Sequence, residues 1–106
     1  MTDVIEVKND LPTSYLLSQN YPNPFNSSTV IRYEIPGQAQ NDNMLVVLNI
    51  YGVLGNEVAT LVNEELPAGE YNVEFRIDNL ELTRGIYSYQ LKAGSFIQTK
   101  KMILIK

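Results

Sequence analysis

The sequence contains no cysteine, no histidine and no tryptophan among its 106 residues. Without cysteine and histidine, the chain has no thiol nucleophile, no disulfide and none of the usual zinc ligand sets. The lack of histidine also removes the imidazole that acts as acid and base in a Ser-His-Asp triad. The carboxylates, hydroxyls and lysines that remain are not clustered, so we expect no enzyme activity, no catalytic residue, no metal site and no cofactor.

Long hydrophobic runs are also missing. The longest purely apolar stretches are only a few residues, far short of the ~20 residues that a transmembrane helix needs. The start of the chain, MTDVIEVKND, lacks the basic region followed by an apolar stretch that marks a signal peptide. We therefore expect a protein that does not span a membrane, with any export signal of its parent located elsewhere.

Positive charge is scarce over most of the chain. Residues 1–81 carry all twelve acidic residues and three basic ones, a net charge of −9. Residues 82–106 carry five basic residues and no acidic one, a net charge of +5. The overall charge of −4 argues against a nucleic-acid partner. The basic end has two interpretations: it lies beside acidic strands in one sheet, or it is presented to a partner.

The sequence does contain a regular alternation of apolar and polar residues with a period of two. Short segments of this kind are separated by turn-forming residues, and no stretch has a convincing helical period of 3.6. The predicted strands are 29–35, 44–51, 57–62, 70–77, 85–92 and 96–106, with a short lead-in strand before them. This pattern predicts an all-β fold, an immunoglobulin-like antiparallel β-sandwich of about seven strands. Glu64 and Glu65 follow the predicted strand 57–62 and precede Pro67, and we predict that they lie in a solvated loop.

The first 15 residues differ from the rest because they are polar, rich in turn formers and poor in apolar anchors. We predict that residues 1–15 form a linker or tether and that residues 16–106 form one immunoglobulin-like domain. Within that domain, Pro22 and Pro24 fix two backbone φ angles and exclude both a helix and a central strand. They predict a rigid turn.

Four motifs then occur in a fixed order. They are LSQNYPNPFN at 17–26, IYGVLG at 50–55, LTRGIY at 82–87 and KMILIK at 101–106. In these motifs the chain resembles the type A C-terminal sorting domain of the type IX secretion system. It is also similar to the immunoglobulin-like domain of the flagellar hook-capping protein. The resemblance covers about residues 16–106.

The resemblance implies a non-catalytic domain that directs a larger, N-terminal cargo through an outer-membrane type IX translocon. It implies a route through the periplasm, a location at the cell surface or outside the cell, and a cell-surface sortase as a second partner. The alternative is a passive immunoglobulin-like module, structural or carbohydrate-binding, within a multidomain surface protein. A sorting signal has to end the chain, whereas a spacer does not, and we expect Lys106 to be that end.

The candidate sorting residues lie in three of these motifs and just before the last one. They are Pro22, Asn23, Pro24, Leu82, Gly85, Tyr87, Lys100, Lys101, Met102, Ile103, Leu104, Ile105 and Lys106. Each set also has a structural interpretation, as a turn for the prolines, and as core and special backbone for Leu82, Gly85 and Tyr87. The last strand is apolar on both faces, which fits either a central strand or an edge with which another strand can pair.

Overall fold

The structure, a computed structural model, describes residues 11–37, 43–78 and 80–105. This part of the chain contains seven strands and no helix, and therefore no helix that could cross a membrane. The strands are β1 (Leu16–Leu17), β2 (Ser28–Ile35), β3 (Met44–Tyr51), β4 (Glu57–Leu66), β5 (Gly69–Arg76), β6 (Gly85–Ala93) and β7 (Phe96–Leu104). They form two antiparallel sheets with the orders β1-β2-β5 and β4-β3-β6-β7. The predicted all-β, immunoglobulin-like sandwich is confirmed.

The hydrophobic core lies between the two sheets. Every second residue of a strand points to the same face, so the inward residues Val46, Leu48 and Ile50 of β3 are fully buried. Tyr89 and Leu91 of β6, the other central strand of that sheet, are also fully buried. The alternation read from the sequence thus decides which side chains form the core.

The three-stranded sheet covers this core with aromatic and β-branched residues. The buried residues Ile31 and Tyr33 of β2 face inward beside Phe75 of β5. Tyr33 stacks on Tyr71 of β5, with ring centroids 5.3 Å apart and an interplanar angle of 18°. Phe75 meets Phe25 edge to face at 6.1 Å, an arrangement that aromatic rings favour.

Strand β4 is longer than the sequence analysis predicts, and the loop predicted at Glu64 and Glu65 is wrong. Both residues pair with β3, Glu64 opposite Val46 and Glu65 opposite Leu45. Their side chains are exposed because β4 is an edge strand, so two adjacent carboxylates stay hydrated within a regular strand. The strand ends at Leu66, just before Pro67, whose ring cannot donate to a ladder.

The sheet order decides whether the last strand is central or at an edge, and it also tests whether the basic end lies beside acidic strands. β7 is an edge strand with β6 as its neighbour in the sheet, and β6 contains no acidic residue. The acidic strand β4 lies at the opposite edge of the same sheet. In the described ranges, no carboxylate forms an ion pair with Lys92, Lys100 or Lys101. The interpretation that the basic end lies beside acidic strands in one sheet is therefore wrong.

Residues 1–10 of the predicted tether lie outside the described residues. Its last residue, Tyr15, stacks on Phe96 of β7 with ring centroids 4.7 Å apart. The Tyr15 hydroxyl also donates to the sulfur of Met44 at 3.1 Å. Tyr15 therefore packs against the sandwich, and the assignment of residues 1–15 as a tether stays a prediction.

Two buried tyrosines predict a loss of stability at alkaline pH. Burial, together with the nearby Tyr71 phenol and Glu64 carboxylate, raises the pKa of Tyr33 from 10.0 to about 12. Burial also raises the pKa of Tyr89 to about 12, although the hydrogen bond from the Asn20 backbone opposes this shift. Because the unfolded chain releases these protons at lower pH, their contribution to stability is complete below pH 10 and is lost as the pH rises towards about 12.

Ultraviolet titration of phenolate absorbance, combined with unfolding measured at each pH, tests this prediction. We expect a late-titrating fraction of the phenols and a fall in stability over the same pH range. A Tyr89→Phe variant serves as the control, because it should remove one late-titrating group. Titration of both phenols at the ordinary value of 10.0 in a still folded domain would contradict their burial.

Candidate functional site

The third and fourth sequence motifs form adjacent strand segments at one end of the sandwich. Gly85 at the start of β6 lies opposite Leu104 at the end of β7, and Tyr87 lies opposite Met102. Antiparallel pairing places the first residues of one strand beside the last residues of the other. The segments 82–87 and 101–105, which are separated in sequence, therefore share one surface.

The first motif joins the same surface through its backbone. Phe25 forms a parallel bridge with Leu104. The Phe25 N–H donates to the Ile103 carbonyl at 2.9 Å, and the Ile105 N–H donates to the Phe25 carbonyl at 2.9 Å. The Ile103 N–H donates to the side-chain oxygen of Asn23 at 2.9 Å. The end of β7 is thus held on one side by β6 and on the other by residues 23–25.

The turn at Pro22-Asn23-Pro24 carries the chain from one sheet to the other. Before the turn, Tyr21 bridges Val30 of β2; after it, Phe25 bridges β7. Both X-Pro peptide bonds in the turn are cis. Neither proline has an N–H to donate to a ladder, so the chain leaves the first sheet here without breaking a strand. The turn predicted from the sequence is present.

A buried polar cluster forms hydrogen bonds to the backbone of this turn. The side chain of Asn20, which is only 2% exposed, donates to the Pro22 carbonyl at 3.2 Å and to the Thr29 hydroxyl at 3.0 Å. That hydroxyl in turn donates to the Pro22 carbonyl at 2.8 Å. The Asn20 backbone N–H donates to the Tyr89 hydroxyl at 2.9 Å, so the cluster is fixed to the centre of the other sheet. Buried polar groups with such partners specify one local arrangement.

Sequence reasoning gave Asn20 and Gln19 no role beyond membership of a motif. The Gln19 amide donates to the Lys101 carbonyl and to the Asn20 side-chain oxygen, both at 2.7 Å. Both residues belong to a polar stretch, and only the tertiary fold shows that one is buried and the other bonds to β7. The available signal was an amide pair directly before the Tyr21-Pro22 step.

The third motif closes the connection between β5 and β6. The Tyr87 hydroxyl donates to the Thr83 carbonyl four residues upstream, at 2.6 Å, as in the tyrosine corner of immunoglobulin-like domains. Gly85 has a φ of 148°, a backbone conformation that side chains disfavour. Leu82 is half-buried and packs against the core. These contacts give all three residues a structural role, and a recognition role for them stays a prediction.

The second motif forms one wall of a groove at this end. The groove has a volume of about 560 Å³ and lies between the β3–β4 hairpin and the connection that leads into β6. At the hairpin tip, the side chains of Val53 and Leu54 are 79% and 90% exposed. The half-exposed Ile86 of β6 also lines the groove and lies opposite Ile103 of β7. All four motifs therefore meet at one end of the sandwich.

The two faces of the last motif have different environments. Met102 and Leu104 point into the core and are 0% and 1% exposed. Ile103 and Ile105 are 40% and 53% exposed, and Lys101 is also exposed. Because side chains alternate along a strand, only these three residues of the motif present side chains to solvent in the described part of the chain.

Two of the three lysines in the candidate set, Lys100 and Lys101, have different environments. Lys100 is half-buried and lies opposite Tyr89, whereas Lys101 is exposed and lies opposite Ser88. Their side chains therefore point to opposite faces of the sheet, and Lys106 lies outside the described residues. A partner that approaches the outer face meets Lys101 rather than Lys100.

The surface offers backbone groups, apolar side chains and lysines. Within the residues that the structure covers, no group of three or more acidic side chains is arranged to hold a metal ion. Among the described residues, arginine forms ion pairs with carboxylates only around Arg32 and Arg76, on exposed parts of the three-stranded sheet and the residues after it. This composition is suited to binding another protein.

A family model described as a secretion system C-terminal sorting domain matches residues 19–106. The matched range includes the last three motifs and most of the first. No curated protein and no solved structure matches the chain.

Proposed function

We propose that this domain directs a larger cargo protein through the outer-membrane translocon of the type IX system. The chain belongs to the family of secretion system C-terminal sorting domains. The domain is a type IX secretion sorting domain, and its destination is the cell surface or the exterior, reached through the periplasm. Its family is not known for catalysis. The role that we propose is therefore that of an address carried by the cargo, read by the translocon and then processed by a cell-surface sortase.

The convergence of the four motifs at one end of the sandwich is the observation that carries this proposal. Strand β7 contributes the exposed Lys101 and Ile103 to that end, and the exposed Ile105 follows the strand directly. The turn at residues 22–24 and the exposed hairpin tip at Val53 and Leu54 lie around them. A translocon that binds the folded domain at this end contacts all four motifs in which the sequence resembles the family.

The alternative of a carbohydrate-binding module has less support. Among the described aromatic side chains, only Tyr21 is exposed, at 79%, and the others are buried or half-buried. A flat sugar-binding platform needs several exposed rings close together. The aromatic residues of this chain instead stabilise the space between the sheets.

Charge reversal at Lys101 tests the proposal. Lys101 is exposed and has no ion-pair partner among the described residues, so Lys101→Glu should change the free energy of unfolding by at most about 0.5 kcal/mol. Secretion of a fused reporter in a type IX-competent host should fall, because a reversed charge penalises contact with an acidic partner. The measurements are thermal unfolding of the domain and the secreted fraction of the reporter.

Lys92→Glu provides the matched control. Lys92 is an exposed lysine on the neighbouring strand β6, and it too lacks an ion-pair partner in the described ranges. It lies opposite Ile97, away from the end where the motifs meet. We expect normal secretion for this variant. Equal secretion by both variants, at unchanged stability, would show that the Lys101 charge takes no part in recognition.

A further inference from the structure

We propose that the first half of the β7 edge, residues 97–101, pairs with an extended acidic strand of the secretion machinery. The partner strand would lie beside β7 and extend the four-stranded sheet by one strand. This inference rests on the proposed function, because it names the kind of partner segment that binds next to the last motif. It concerns backbone pairing along residues 97–101, of which only Lys101 belongs to the last motif.

Among the residues that the structure describes, contacts within the chain close only the second half of the β7 edge. The N–H groups of Ile103 and Ile105 point away from β6, since they bond to Asn23 and Phe25. The carbonyl of Lys101 also points outward and accepts from Gln19. Gln19 and residues 23–25 therefore occupy the edge from the Lys101 carbonyl to Ile105.

The first half of the edge presents unoccupied backbone groups. In an edge strand, the backbone N–H and carbonyl groups of every second residue point away from the neighbouring strand. Those of Ile97 and Thr99 therefore point away from β6, as those of Ile103 do. The Lys101 N–H does so as well. None of these five groups bonds to another described residue. They are spaced as a strand ladder requires.

The regularity of β7 makes this edge suitable for pairing. Proteins protect exposed edges with short strands, prolines, bulges or charged side chains, lysine above all. Of these, β7 carries only lysines, which disfavour pairing with a basic strand but allow pairing with an acidic one. β7 is nine residues long, contains no proline and pairs with β6 without any register shift. β4, at the other edge of the sheet, has irregular pairing with β3 at two places. Ile97, 60% exposed, also offers an apolar contact beside the open backbone groups.

Charge indicates an acidic partner strand. Lys100 and Lys101 lie on β7 with no carboxylate partner in the part of the chain that the structure covers. Opposite charges across neighbouring strands stabilise a sheet, and like charges destabilise it. A strand with carboxylates on both faces therefore matches both lysines, which point to opposite faces.

A proline at position 99 tests the backbone contact. The Thr99 N–H bonds to no other described residue, so Thr99→Pro removes a donor from the open edge without breaking a backbone bond to β6. The bond from the Gln90 side chain of β6 to the Thr99 hydroxyl is lost in this variant and in the valine control alike. We expect secretion of the fused reporter to fall about tenfold. Thr99→Val, which keeps the N–H and the β-branched shape, is the control and should be secreted normally. Circular dichroism and thermal unfolding show whether each variant folds.

The secretion results separate this inference from the proposed function. If Thr99→Pro folds and is secreted normally while Lys101→Glu is not, the domain is still read at its last motif, and pairing at residues 97–101 is overturned. If both variants are secreted normally, the proposed recognition through β7 fails as well. If Thr99→Pro fails while Lys101→Glu is secreted normally, the edge is used but the partner strand is not acidic.

Amide hydrogen exchange gives a second measurement that needs no variant. In the free chain, the Ile103 and Ile105 amides should exchange slowly and the Thr99 and Lys101 amides fast. The probe is a synthetic peptide with the acidic sequence of β4, EVATLVNEEL, and its control has glutamine in place of glutamate. Added acidic peptide should slow exchange at Thr99 and Lys101, and the glutamine peptide should do so at least about tenfold more weakly.

Three outcomes of the exchange experiment would overturn the proposal. Fast exchange at Thr99 and Lys101 with saturating acidic peptide would show that the edge does not pair. Equal protection by both peptides would remove the requirement for acidic residues. Protection that appears without peptide and grows with protein concentration would identify a second copy of the chain as the occupant.

Discussion

Replacing Tyr89 by alanine is expected to lower the free energy of unfolding by about 3–5 kcal/mol. The ring is fully buried on a central strand, so its removal leaves a cavity between the sheets. The hydroxyl also donates to the Ser18 carbonyl at 2.6 Å and accepts from the Asn20 N–H at 2.9 Å. Urea unfolding followed by circular dichroism measures the loss.

Tyr89→Phe separates the ring from the hydroxyl. It keeps the packing but leaves the buried Asn20 N–H without its partner, which should cost about 1–3 kcal/mol. A phenylalanine variant as stable as the wild type would mean that the hydroxyl bridge between the sheets contributes nothing. An alanine variant no less stable than the phenylalanine variant would contradict the packing role of the ring.

The sequence predicted the strands well because alternation is a local property. The inward residues of β2, β3 and β6 recur at every second position, and tertiary packing adds nothing that changes this pattern. The prediction failed for Glu64 and Glu65, where two adjacent carboxylates resemble a loop. Pairing with β3 decides their conformation. Such pairing depends on a distant segment of the chain, so it cannot be predicted from the residues around Glu64 and Glu65.

The candidate site was predictable only in parts. Its motifs could be read from the sequence, but their convergence depends on contacts between distant residues. The bond between Asn23 and Ile103 joins positions 80 residues apart. The choice between an edge and a central position for the last strand likewise depends on sheet order, which periodicity does not determine.

The inward residues of the last strand have a structural role, and we propose a recognition role for the outward residues that alternate with them. Its inward side chains complete the core. Its outward side chains, and the backbone groups that point away from β6, lie at the surface. Deleting the strand would remove both roles together. Single substitutions on the two faces can separate them, because neighbouring residues point in opposite directions.

Leu104→Ala is expected to destabilise the domain by about 2–5 kcal/mol, since the side chain is 1% exposed and lies in the core. Secretion of a fused reporter should fall along with stability. Ile105→Ser, one residue further, changes a side chain that is 53% exposed. It should alter stability by less than about 1 kcal/mol.

If the outward face of the strand is read by the translocon, Ile105→Ser should nevertheless reduce secretion. Chemical unfolding and reporter secretion, measured on both variants, provide the comparison. Secretion that follows stability in both variants would mean that the translocon requires a folded domain but does not contact Ile105. Loss of secretion in Ile105→Ser at normal stability would place recognition on the exposed face of the last strand, because the backbone and the core are unchanged in that variant.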